Sequence, residues 1–246
     1  MTSDDSVYRA PQSSLSRPTE GNARSLDAAM AGEFEFDVVE IMGEAWDLVN
    51  GSKRVLLGAG AILFGANVLA SAVSAVAQGP DPTEVNLVGL LVSLLSMVIL
   101  YPIQAGAVLY AVKRAAGDES ASFDDILSCF GQTLPILGLM LLQMLLTMLG
   151  VLLFLLPGIY LAIAYLAALP LLVERKVGIW DSLETSRKAL TNCWFRLLLL
   201  FLALGVITGF GAVLTLGIGL IWLFPFFWLS LGVVYCKIFG YSGSSG

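Results

Sequence analysis

Imidazoles, thiols and clustered carboxylates are the groups that most often do chemistry in a protein, and this sequence offers them sparingly. It has no histidine, and its three cysteines, Cys129, Cys193 and Cys236, lie far apart without CxxC spacing. A zinc site or a redox pair is therefore unsupported. Asp124-Asp125 and the carboxylates between Glu33 and Asp47 are the densest acidic groups. Such groups can hold a hard cation or share a proton, yet neither run has the ligand spacing of a calcium loop. Both read as solvated charged faces. Gly58, Gly60 and Gly65 lie in an apolar run with no strand before them and no Lys-Ser or Lys-Thr after them, which argues against a phosphate-binding loop. There is no GxSxG elbow, and without histidine no Ser-His or Cys-His pairing forms. The reading is a non-enzymatic protein with no cofactor and no metal.

What positions the remaining polar groups is a membrane composition. Apolar residues make up 57% of the chain and charged residues 13%, against about 25% charged in soluble domains. No charged residue falls in 55–77, 85–112, 133–173 or 197–236. Each window covers the roughly 20 helical residues needed to cross a hydrocarbon core. The runs are continuous rather than alternating, which favours helices over a barrel. The two longest are interrupted by Pro157-Gly158 and by Gly217-Ile218-Gly219; as unbroken helices they would be about 60 Å long, twice the core thickness. Each must be a hairpin. The expected fold is an all-α membrane protein with six transmembrane helices arranged as three hairpins, at about 55–77, 87–112, 133–155, 159–173, 197–216 and 219–238. These lie in a membrane domain spanning 34–240, between a disordered tail at 1–33 and a flexible tail at 241–246.

Topology follows from the basic residues. All 13 Lys and Arg fall on the N-terminal segment, the connections 113–132 and 174–196, and Lys237, whereas the connections at 78–86, 156–158 and 217–218 have none. The positive-inside rule then puts both termini in the cytoplasm. The net charge of −6 comes largely from acidic residues ahead of Val55. It describes a tail and implies no nucleic-acid partner.

Each hairpin follows a segment that opens on an aromatic-Asp pair: Phe36-Asp37, Phe123-Asp124 and Trp180-Asp181. The third carries Trp180, Leu183, Leu190 and Trp194 on one face and Asp181, Glu184, Lys188 and Thr191 on the other, the pattern of an interfacial helix. A cytoplasmic interfacial helix is thus expected before each hairpin, with Trp46, Phe123, Trp180 and Trp194 as its anchors.

Between Leu156 and Leu197, Pro157-Gly158-Ile159-Tyr160, Pro170, Ser182, Leu183, Ser186, Leu190 and Trp194-Phe195 resemble the pattern of a bacterial family of integral membrane proteins of unknown function. That family is similar to conserved enteric inner-membrane proteins, and the same membrane domain occurs joined to glycerophosphoryl diester phosphodiesterase domains. The resemblance implies a bacterial inner-membrane location, a signature at Pro157, Gly158, Tyr160, Pro170 and Trp194, and an accessory role beside a separately encoded phosphodiesterase as one reading. This chain departs from the family in having Ala162 to Ala164 where an Arg often follows the Tyr turn. It also carries Glu174-Arg175-Lys176 where a glycine-rich turn is usual.

Inside the spans the polar groups are neutral. Asn67, Gln104 and Gln143 read either as interhelical hydrogen-bonding groups or as pathway lining. Gly205 and Gly209 form a GxxxG, which reads as close packing within one bundle or as the seam of a homo-oligomer. The lack of a titratable group at depth argues against a proton-coupled carrier. The functional expectation is a scaffold or partner- and lipid-interacting module, with membrane lipids and a protein at the cytoplasmic face as partners. The alternative is a channel or transporter component for an uncharged or lipid-like solute.

Overall fold

The structure, a computed structural model, describes residues 24–77 and 87–243. It runs α1 (Leu26–Ala31), α2 (Val38–Ala77), α3 (Leu87–Ala115), α4 (Asp124–Ser128) with a 3-10 turn (Cys129–Gln132), α5 (Thr133–Leu153), α6 (Leu155–Ala164), α7 (Ala168–Glu174), α8 (Ile179–Thr191), α9 (Trp194–Leu214) and α10 (Leu220–Phe239), with no strand among the described residues. Six stretches are long and apolar enough to cross a membrane: Val38–Val76, Leu87–Ala115, Asp124–Leu153, Leu155–Glu174, Trp194–Leu214 and Leu220–Phe239. The chain is a multi-pass helical membrane protein built as three hairpins.

Several boundaries depart from the sequence expectation for identifiable reasons. The segment that precedes the first span is continuous with it: α2 has 40 residues, about 60 Å. Asp37 Oδ1 accepts from the Val39 and Glu40 amides at 2.8 and 2.9 Å and so starts the helix. No proline occurs between Asp37 and Ala77 to stop it. The second hairpin turns one step earlier than expected, at Phe154, whose φ of −161° and ψ of 151° interrupt the helical path. Pro157 then lies in the first turn of α6, where its missing N–H leaves no intrahelical bond unmade. Gly158 meets the backbone of Val151 where a Cβ would collide, so its role is close approach rather than turning.

The return span is broken between α6 and α7, at 165–167, upstream of Pro170. A proline ring crowds the carbonyl four residues earlier, here that of Leu166 inside the break, although Pro102 and Pro225 are accommodated within α3 and α10 without an interruption. Nor is all of the segment 1–33 a tail. Ser25 caps α1 by accepting from the Ala28 amide at 3.2 Å, and Ala29 is fully buried; residues 1–23 lie outside the described part. At the other end Tyr241 and Ser242 are hydrogen-bonded rather than free, and 244–246 lie outside it.

The core sits at the charged end of the bundle. α10 packs on α2 and α3, burying Leu229, Val233, Tyr235 and Phe239 against Ile41, Leu56, Ile103 and Tyr110. Two glycines permit the closest crossings: Gly232 faces the backbone of Ala111, and Gly106 that of Ile126. Gly60 of α2 faces Phe224, only four residues into α10, so most of α2 beyond Gly60 runs past the end of α10. The far halves of α2 and α3 accordingly expose Phe64, Leu69, Leu94 and Leu95.

Candidate functional site

At the charged end, the last turn of α10 leaves carbonyls with no helical partner. Two arginines from distant segments occupy them. Arg24 Nη1 donates to the carbonyls of Lys237 at 2.6 Å and Ile238 at 3.2 Å, and Arg175 Nη2 to that of Phe239 at 2.6 Å. Beside them Glu174, with a side chain fully shielded from solvent, accepts from Arg175 Nε at 3.0 Å, Tyr235 Oη at 2.6 Å and the Ser242 amide and hydroxyl. A buried carboxylate is costly unless paired and hydrogen-bonded, and here both oxygens are engaged. Lys237 bridges Glu40 and Glu44 at 2.7 Å each, and Lys113 meets Asp125 at 2.6 Å. These contacts tie the end of α10 to Arg24, α2 and α7, and α3 to α4. Arg24 was not singled out from the sequence, and Glu174-Arg175 stood there only as a departure from the family pattern, because nothing in their spacing shows that they meet.

The helix break is filled from α8. Ser186 is fully buried; its Oγ donates to the Ala164 carbonyl at 2.7 Å and accepts from the Ala167 amide at 3.2 Å. Both groups were released by the interruption. Tyr160 and Trp194, far apart in sequence, meet next to it: Trp194 Nε1 donates to the Tyr160 carbonyl at 3.3 Å, with ring centroids 6.1 Å apart. The Tyr160 hydroxyl lies 2.7 Å from that of Thr191. Trp194 is thus tied into the protein, and Leu183 and Leu190 are buried in it too. α8 spends its apolar face on the bundle and leaves Trp180 exposed. On its polar face the Arg187 guanidinium holds the Glu184 carboxyl below its usual range; beyond its end Cys193, at the start of α9, is buried in the core, which pushes its thiol up to about 12.

Two open clefts lie farther along the spans, away from the charged end. The first, about 530 Å³, opens between α2 and α3 and brings together Asn67 and Gln104. The second, about 540 Å³, opens between α3, α5 and α6 and contains Gln143. Tyr101 lines both. Asn67 Nδ2 donates to the Leu63 carbonyl at 2.9 Å within its own helix. Tyr101, Gln104 and Gln143 make no hydrogen bond within the described protein, so they are not interhelical clasps. Tyr101 was passed over because an aromatic residue in an apolar run looks like ordinary packing.

Of the remaining candidates, Trp46 packs edge-on against Phe226 at 5.4 Å while staying about half exposed, and Phe123 covers Gly58. Gly205 and Gly209 face open space, with no atom within 4 Å of the position a Cβ would take. Thr208 between them has a buried hydroxyl with no partner, for which nothing in the structure offers a reason. Among the described residues no group of three or more His, Cys, Asp or Glu gathers in a metal-binding arrangement. No protein-family model, curated protein or solved structure matches the chain.

Proposed function

We propose that this chain is a non-enzymatic protein of a bacterial inner membrane, with both termini in the cytoplasm, that holds a lipid-like or uncharged molecule within the bilayer. The observation that carries the reading is the convergence of Tyr101, Gln104 and Gln143 on two adjoining clefts without a protein partner. An unpaired polar group in hydrocarbon costs several kcal/mol, so these side chains favour an occupant that can hydrogen-bond. The described lining carries no charged side chain, which fits an uncharged solute and not an ion. Scaffolding at the cytoplasmic face is a second reading, supported by Trp180, 60% exposed on a helix whose Leu183 and Leu190 are buried.

The two readings separate under site-specific crosslinking in membranes. A photoreactive residue at position 104 or 143 is expected to capture molecules of lipid size, and one at position 180 to give only background. Capture of a protein at 180, with nothing bound at 104 and 143, would reject the membrane-site reading in favour of the scaffold.

A further inference from the structure

The two clefts differ in chemistry where they meet. In the first, Asn67, Ser93 and Ser96 already donate to carbonyls of their own helices at 2.9, 2.8 and 2.7 Å. Their amide and hydroxyl oxygens are left as acceptors. Ser71, Ser74 and Gln104 line the same space and make no hydrogen bond within the described protein, so donors and acceptors are both on offer. A phosphate would meet no lysine or arginine among the described lining residues, and an ammonium no carboxylate. Hydroxyl and amide groups, which donate and accept, are what this lining matches. In the second cleft Met140, Met144 and Met148 recur every fourth residue along one side of α5, with Val151 and Ala162 beside them. Unbranched thioethers adapt to an irregular apolar shape such as a hydrocarbon chain. Tyr101, apolar in its ring and polar at its tip, belongs to both clefts.

We propose that the two clefts form one composite site for an amphiphile with an uncharged, hydroxyl-bearing head. The head lies between α2 and α3 among the serines and Gln104, the chain lies along the methionines of α5 with the polar linkage between head and chain at Gln143, and Tyr101 sits at the junction. Each volume is within the usual range for small-molecule sites, about 300–1,000 Å³. The proposal rests on the membrane-site reading above and adds to it the charge and polarity of the ligand.

The test is photolabelling of the full-length protein in nanodiscs with photoactivatable diacylglycerol, phosphatidylglycerol and phosphatidic acid carrying the same acyl chains. Diacylglycerol is expected to label peptides of α3 and α5 around Tyr101 saturably. The two anionic lipids should label them weakly. Gln104→Leu should lower diacylglycerol labelling about fivefold, the effect of roughly one hydrogen bond, while Gln104→Asn should keep most of it. A comparable loss in both variants would mean damage to the fold and would count against the head-group contact. Equal labelling by all three lipids, unaffected by Gln104→Leu, would overturn the proposal yet leave lipid binding standing. No labelling of α3 or α5 by any lipid would overturn both the proposal and the reading beneath it.

Discussion

Asp118 and Tyr241 couple the segment after α10 to the loop after α3 through a 2.9 Å hydrogen bond. Burial alone would raise the Asp118 carboxyl, but hydrogen bonds from Ser120 and Tyr241 outweigh it and hold it below its ordinary value. Burial, followed by the bond to Asp118, pushes the Tyr241 hydroxyl up. A carboxyl with a depressed folded pKa takes up protons less readily when folded. Its contribution to stability is therefore complete above the unfolded value, 3.8 for this group, and is lost as pH falls through the lower folded value. Amides near Tyr241 are expected to stay protected against hydrogen exchange at neutral pH and to open in acid below that range. In Asp118→Asn this share of the acid opening should be missing. If the variant opened over the same range and to the same extent, another group would have to be responsible. Glu174 marks a different limit, because the sequence is silent on its contacts: a charged triplet after an apolar run marks the end of a span, but not that its first residue will be enclosed by Tyr235 and Ser242.

The elements were legible to the extent that local physics decides them. Apolar runs without charge marked out the spans, but a proline alone did not mark a break, since Pro102 and Pro225 lie inside α3 and α10. The misplacements came from reading a breaker at its own position. Pro170 interrupts the helix upstream of itself, and Pro157 is accommodated inside a first turn. α1 was hidden because it is a short apolar stretch inside a polar segment, and Arg24 and Asn192 hold its two ends to α10 and α8. The break between α6 and α7 makes the clearest demand on a single side chain. Ser186→Ala would leave the Ala164 carbonyl and the Ala167 amide buried without a partner. At about 1–3 kcal/mol for each stranded group, a marked fall in melting temperature in detergent is expected. Ser182→Ala is the control, because the Ser182 hydroxyl makes only a long 3.5 Å contact with the Val177 carbonyl. Equal losses in the two variants would mean that the break is held by packing and not by Ser186.

For the whole molecule, the question is which surfaces are spent inside one chain and which remain available to lipid or to a second copy. Hydropathy answers neither part, because a helix facing lipid and a helix facing another helix are equally apolar. It could not reveal that α2 outruns α10, and so could not foresee the clefts. Glycines discriminate where hydropathy fails. Gly106 and Gly232 are pressed against backbone, and Gly205 and Gly209 are open; all four lie within helices. In a helix Gly→Ala gains roughly 0.5–1 kcal/mol from propensity, so the sign of the measured change reports whether a neighbour blocks the added methyl group. Gly106→Ala and Gly232→Ala are expected to destabilise the protein, since the obstructing atoms are backbone and cannot swing aside. Gly205→Ala and Gly209→Ala should leave the monomer unchanged or slightly more stable. If the pair instead lowered stability in a way that depended on protein concentration, the small-residue face of α9 would be occupied by another copy. The GxxxG would then be an oligomer seam, while the packing of the single bundle described above would stand.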